Sequence, residues 1–189
     1  MAVFVNSFFE KRVEQLFDLA SVIEKSFSDA GLEYRIVGGL AVYLYVEEAE
    51  SDAGRLTKDI DIAVRREDLA QIETAVRPYG LELRHAAGVD MLVQSTAPSA
   101  RRAVHLVFAA EKVRPEYFEP TPAMGPACTI RGLRLITLAD LVRMKLTSYR
   151  LSDAVHLKDL DEAGLITSEI EATLPASLRE RLAQVRDRE

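Results

Sequence analysis

The 189-residue sequence contains a single cysteine, Cys128. That excludes an internal disulfide and any cysteine-based zinc site, as suits a reducing compartment, and Cys128 reads as a small packing residue. Long apolar runs are also missing. The opening stretch MAVFVNSFFEKRVEQL turns charged too soon to span a membrane, and nothing in it resembles a cleavable leader, so the expected location is the cytoplasm. Positive charge is in deficit: 24 Lys and Arg stand against 30 Asp and Glu, a net charge of −6. This argues against the broad basic surface that non-specific duplex binding requires, leaving only local contacts to any nucleic acid. No internal repeat or low-complexity tract appears. What remains, 48% hydrophobic and 29% charged residues, is the composition of a soluble globular protein long enough to bury a real core.

Apolar residues at Val13, Leu16, Phe17, Ala20, Ile23 and Phe27 recur at helical spacing, predicting an amphipathic helix that stops near Gly31. EYRIVGG reads as a short strand ending in paired glycines, followed by the helix LAVYLYVEE. An acidic stretch, EEAESDAG, precedes the strand KDIDIAV and the helix EDLAQIETAVRPYG. Three extended pieces follow, LELRH, VDMLVQS and RRAVHLVFA, the last two joined by the turn-like TAPSA. From Glu111 to Gly132 the chain is proline-rich and aperiodic, a long surface connection or a lid. The last third is helical: Thr137 is placed to cap TLADLVRMKLTSYR, and helices from SDAVHLKDLDEAGL and PASLRERLAQVRDRE follow. The expected architecture is α/β or α+β, a small mixed sheet flanked by helices over residues 1–132, with a helical segment over 133–189 packed on it.

The strand KDIDIAV poses the chemical question. Alternation puts Asp59 and Asp61 on one face with Ala63, while Ile60, Ile62 and Val64 take the other. Two carboxylates side by side repel each other, and a divalent cation with oxygen ligands, usually magnesium, relieves that repulsion. A solvated edge strand is the plainer explanation of the same spacing. Gly38 and Gly39 stand directly between a strand and a helix, where backbone amides can approach a phosphate, although a Gly-Gly pair by itself is more often a tight turn.

Together, IVGGLAVYLYV and RLTKDIDIAV resemble the DNA polymerase beta superfamily of nucleotidyltransferases, and in particular the small bacterial proteins grouped with AbiEii toxins. The resemblance covers about Tyr34 to Val64 and, more loosely, Arg101 to Leu165. It implies a nucleotidyltransferase fold in which Gly38 and Gly39 hold a nucleoside triphosphate and Asp59 and Asp61 bind Mg2+ or Mn2+. An acceptor hydroxyl, on a protein side chain, an RNA end or a small molecule, would attack the α-phosphorus. A protein partner of the toxin–antitoxin kind belongs to the same resemblance, and a catalytically inactive homologue serving as a nucleotide-binding or interaction module is the alternative. Two departures stand out. Nineteen residues, Leu40 to Lys58, separate the glycines from Asp59, and the position of the family's third carboxylate is occupied by His105. A neutral histidine suits magnesium less well than a carboxylate, so His105 would serve as base or the step would be lost. Asp90 on the neighbouring strand is a candidate replacement.

Lys145 falls near the centre of the stripe Leu138, Leu141, Val142, Leu146 and Tyr149. It is either a snorkelling lysine or, by the same resemblance, a lysine reaching triphosphate oxygens, with Arg150 a second phosphate contact or a cation complementing the helix dipole. Relatives often carry an aspartate where His156 stands, so His105 and His156 are expected to touch if the two replacements are linked. His85 reads as a surface residue, Asp153 as a helix-start residue, and Asp159 and Asp161 as members of a solvated face. The apolar start VFVNSFF is an interface or core packing.

Overall fold

The computed structural model describes residues 2–50, 55, 57, 59–96 and 103–187, with side chains from residue 13 onward. Residues 51–54 at the end of the acidic stretch, the tip of the TAPSA turn and the side chains of VFVNSFF therefore lie outside the described residues. Helix α1 (Ala2–Asp29) ends at Gly31, which takes the left-handed φ of +65° that glycine tolerates. Strand β1 (Arg35–Val37) runs straight into helix α2 (Gly38–Ala49), and β2 (Ile60–Val64) leads through a 3-10 turn to α3 (Leu69–Val76). Strands β3 (Leu81–Ala86) and β4 (Val89–Gln94) form a hairpin whose two-residue turn, Ala87 and Gly88, has both φ angles positive. Strand β5 (Val104–Phe108) follows.

The aperiodic connection is not wholly irregular. It contains β6 (Cys128–Ile130), which pairs through the Arg131–Gly132 turn with β7 (Leu133–Leu135). Three-residue strands are too short to show a period, which is why the sequence pattern does not reveal them. The last third forms α4 (Leu138–Ser148), α5 (Leu151–Glu162), α6 (Ser168–Ala172) and α7 (Ala176–Arg186).

Among the described residues seven strands form one mixed sheet in the order β3-β4-β5-β2-β1-β7-β6. The register places Val37 opposite Asp61 and Asp61 beside His105. One core cluster joins Ile36, Ile60, Ile62, Val104 and Leu106 of the sheet to Ile23 and Phe27 of α1, Leu40 and Leu44 of α2, and Ile72 of α3. Burying a side chain of this size contributes about 1.5–3 kcal/mol, so this face anchors the domain. The opposite face carries Arg35, Asp61 and His105, and the connection after β5 folds over it. Buried Arg35 ties that connection down, its Nε donating to the Gly125 carbonyl at 3.1 Å. No helix among the described residues is long and apolar enough to cross a membrane.

Candidate functional site

The β1–α2 junction sets the geometry. Gly38 takes a φ of +70°, and a β-carbon placed on it would lie 2.0 Å from Oδ2 of Asp61. Only glycine satisfies both the backbone and the neighbour. Helix α2 starts there without a side-chain cap, so its first amides are not satisfied from within the helix. Gly39 is close-packed as well, since a β-carbon there would lie 2.6 Å from Thr57 Oγ1 and 3.5 Å from Cε1 of His156.

Asp61 opens into a cleft of about 600 Å3 that Gly38, His105, Lys145, Arg150 and the connection after β5 also line. Asp59 stands just before β2, outside the set that lines the cleft, yet its charge reaches His105. His105 Nδ1 lies 3.3 Å from Asp61 Oδ1. That hydrogen bond raises the histidine above its ordinary value, against burial and with help from the charges of Asp61 and Asp59. Asp90 lines the same cleft as Asp61, yet among the described residues it forms no three-ligand group there. Met91 faces His105 across β4 and β5, whereas Asp90 pairs with Leu106 in the alternate register and is held by His85 at 2.8 Å.

Lys145 is 4% exposed and does not snorkel. A left-handed Tyr149 turns α4 back on α5, carrying Lys145 in the last turn of one helix to Asp153 in the first turn of the next, Nζ to Oδ1 at 3.0 Å. Lys145 Nζ also lies 3.0 Å from His156 Nδ1. The second Asp153 oxygen accepts from Ser148 Oγ at 2.7 Å, from Arg150 Nε at 2.9 Å and from the Arg150 amide at 3.1 Å. Burial alone would push the Asp153 carboxyl up, but these donors and the Lys145 charge hold it down at about 2. His156 is lowered to about 4, first by burial and then by the neighbouring ammonium. Arg150 begins α5 rather than ending α4, so it caps a helix start through Asp153 instead of complementing a C-terminal dipole.

His105 and His156 do not bond to each other. His105 is held by Asp61 and His156 by Lys145, while the charge of Asp61 acts on both. Asp159, expected on a solvated face, is buried and paired with Arg55 at 2.9 Å, and Asp161 is half-buried and paired with Arg186. The sequence signal for Asp153 was its position eight residues after an out-of-place lysine, across a helix turn that only the folded chain closes.

No protein-family model matches the sequence. No curated protein matches it either. Solved structures do. A nucleotidyltransferase-like protein from Paracoccidioides brasiliensis aligns with a TM-score of 0.57 at 18% identity, covering 91% of this chain and 87% of that one. ANT(2")-Ia in complex with adenylyl-2"-tobramycin aligns with a TM-score of 0.56 at 15% identity, covering 89% of this chain and 95% of that one. The chain has the nucleotidyltransferase fold. Within that fold the strand that carries Asp61 and the glycine junction beside it occupy the sheet centre, and both similarities span most of each chain.

Whether the acids suit a divalent cation can be tested on their chemistry. Among the described residues no group of three His, Cys, Asp or Glu side chains converges on one point. Asp61 and Asp59 therefore supply too few donors to cage a cation by protein alone, and a cation at Asp61 would have to complete its shell with substrate oxygens and water.

Proposed function

We propose that the protein transfers a nucleotide from a nucleoside triphosphate to an acceptor hydroxyl. The observation that carries this reading is the meeting of the glycine junction, Asp61, Lys145 and Arg150 in one cleft of a nucleotidyltransferase fold. The uncapped amides of α2 receive the triphosphate, and the positive charge of Lys145 and Arg150 faces it. Asp61 and Asp59 hold magnesium or manganese, which when bound neutralises phosphate charge and polarises the phosphoryl group. The acceptor oxygen forms a bond to the α-phosphorus as the bond from that phosphorus to the bridging oxygen breaks, and pyrophosphate leaves. His105, hydrogen-bonded to Asp61, takes the acceptor proton in place of a third carboxylate. A cleft of about 600 Å3 is in the size range of small-molecule sites. ANT(2")-Ia, with its adenylyl-2"-tobramycin, is a fold relative that holds an adenylylated small molecule, which supports an acceptor of that size over a large one. The Gly38–Gly39 pair and the Lys145 helix, which carry the AbiEii-like resemblance, support the same phosphate reading.

A second reading has its own support. His105 sits against Asp61 where the family has an acid, and that pairing favours a homologue that binds nucleotide without transferring it. Purified protein incubated with labelled nucleoside triphosphates, magnesium and cell extract is expected to yield labelled product that disappears in Asp61→Ala and Asp59→Ala. Product that survives either change refutes the site. Tight magnesium-dependent nucleotide binding without product from any acceptor selects the second reading.

A further inference from the structure

Lys145 has two partners inside the protein, and they constrain each other. An ammonium group has donors only, so at the 3.0 Å contact with His156 it must donate, and Nδ1 must be the unprotonated ring nitrogen. The single proton of the neutral ring then sits on Nε2. Burial and the Lys145 charge oppose a second ring proton, so His156 stays neutral at pH 7. Its Nε2–H has no hydrogen-bond partner among the described residues. The adjoining ring atom, Cε1, packs against the start of α2, 3.5 Å from where a Gly39 β-carbon would be. The donor nitrogen thus stands one bond from a ring atom that faces Gly39, at the edge of the junction and outside the set of residues that lines the cleft around Asp61.

We infer that His156 donates its Nε2–H to the phosphate held at the Gly38–Gly39 junction, and that Lys145 is the positioning residue that fixes the tautomer. This rests on the nucleotide reading given above and deepens it: the ligand group is a polyphosphate, and Lys145 acts on it through His156. A neutral donor has a specific advantage here. It bonds a phosphate oxygen without competing with a cation for Asp61. Lys145 and Arg150 share the one carboxylate of Asp153, so the cluster as a whole carries a net positive charge that a phosphate oxygen compensates. The absence of a side chain at Gly39 lets both the Thr57 hydroxyl and the His156 ring close on the helix start.

Two measurements on the full chain test this. Ring 15N shifts at neutral pH are expected to report His156 as the Nε2–H tautomer, and a ring protonated on Nδ1 overturns the inference without reference to any ligand. The second is the affinity for inorganic tripolyphosphate with magnesium, by calorimetry, in the wild type, His156→Asn and His156→Gln, with thermal melts checking that each is folded. Glutamine carries an amide N–H to about the reach of Nε2, whereas asparagine reaches only as far as Nδ1. His156→Asn is expected to weaken binding by about tenfold, the scale of one hydrogen bond to a charged group, and His156→Gln to stay near the wild type. Equal losses in both variants, or none in His156→Asn, overturn the donor role and leave the nucleotide site standing. A wild type that binds neither tripolyphosphate nor nucleoside triphosphate overturns the site itself and this inference with it.

Discussion

Gly38 leaves no room for a β-carbon beside Asp61: one placed there would lie 2.0 Å from Oδ2. Gly38→Ala therefore forces the carboxylate to move and also puts an L-residue at a φ of +70°. The backbone term alone is about 1–2 kcal/mol. Urea denaturation is expected to show at least that loss, and magnesium-dependent nucleotide binding is expected to fall further than stability does. A variant with wild-type stability and affinity would mean that the junction adapts without disturbing Asp61.

Asp153 is fully buried between Lys145 and Arg150. Removing one member of a buried pair leaves the other charge uncompensated, at a cost of about 3–5 kcal/mol. Asp153→Ala is expected to lose stability on that scale by chemical denaturation. The double change Lys145→Met with Asp153→Leu removes both charges and is expected to recover most of the loss, while abolishing the fixed histidine tautomer.

Acid stability follows from two groups with the same sign. His156 binds its proton only near pH 4 in the folded protein, against 6.5 for an ordinary histidine. Above 6.5 it has no effect, and as the pH falls from 6.5 toward 4 the unfolded chain gains a proton that the folded chain refuses, so stability drops. Asp153, held at about 2 against an ordinary 3.8, contributes stability that is present above 3.8 and lost as the pH falls toward 2. His105 is raised and works the other way, adding stability at low pH that is lost as the pH rises through its folded value. The clean comparison is between the wild type and His156→Gln. The urea midpoint of the wild type is expected to fall more steeply between pH 6.5 and 4, and identical slopes would contradict the buried neutral histidine.

In metal-free buffer, Asp61→Asn removes the main cause of the elevated His105 value and leaves burial, which lowers it. The His105 titration followed by NMR is expected to move down. An unchanged midpoint would mean that Asp59 or solvent sets it.

How much of this could be read without coordinates differs from one element to another. Helix α1 shows its period over many turns, and β2 shows Asp61 alternating with Ile60, Ile62 and Val64, so both are visible in the order of the residues, whereas Asp59, expected on the same strand, falls just before it. The two glycines marked a junction, and Lys145 stood out as a charge in an apolar stripe. Strands β6 and β7, at three residues each, have no period to detect.

By itself, then, the sequence determined the elements with a repeating pattern, the face that Asp61 takes and the place of the glycine junction, because local backbone geometry alternates or winds with a period that residue order must match. Only the tertiary structure decided who meets whom: sheet register set His105 beside Asp61, and the α4–α5 turn closed Lys145 onto Asp153 and His156. Those contacts join residues on different elements, and their energies depend on burial and distance, which no one-dimensional spacing encodes.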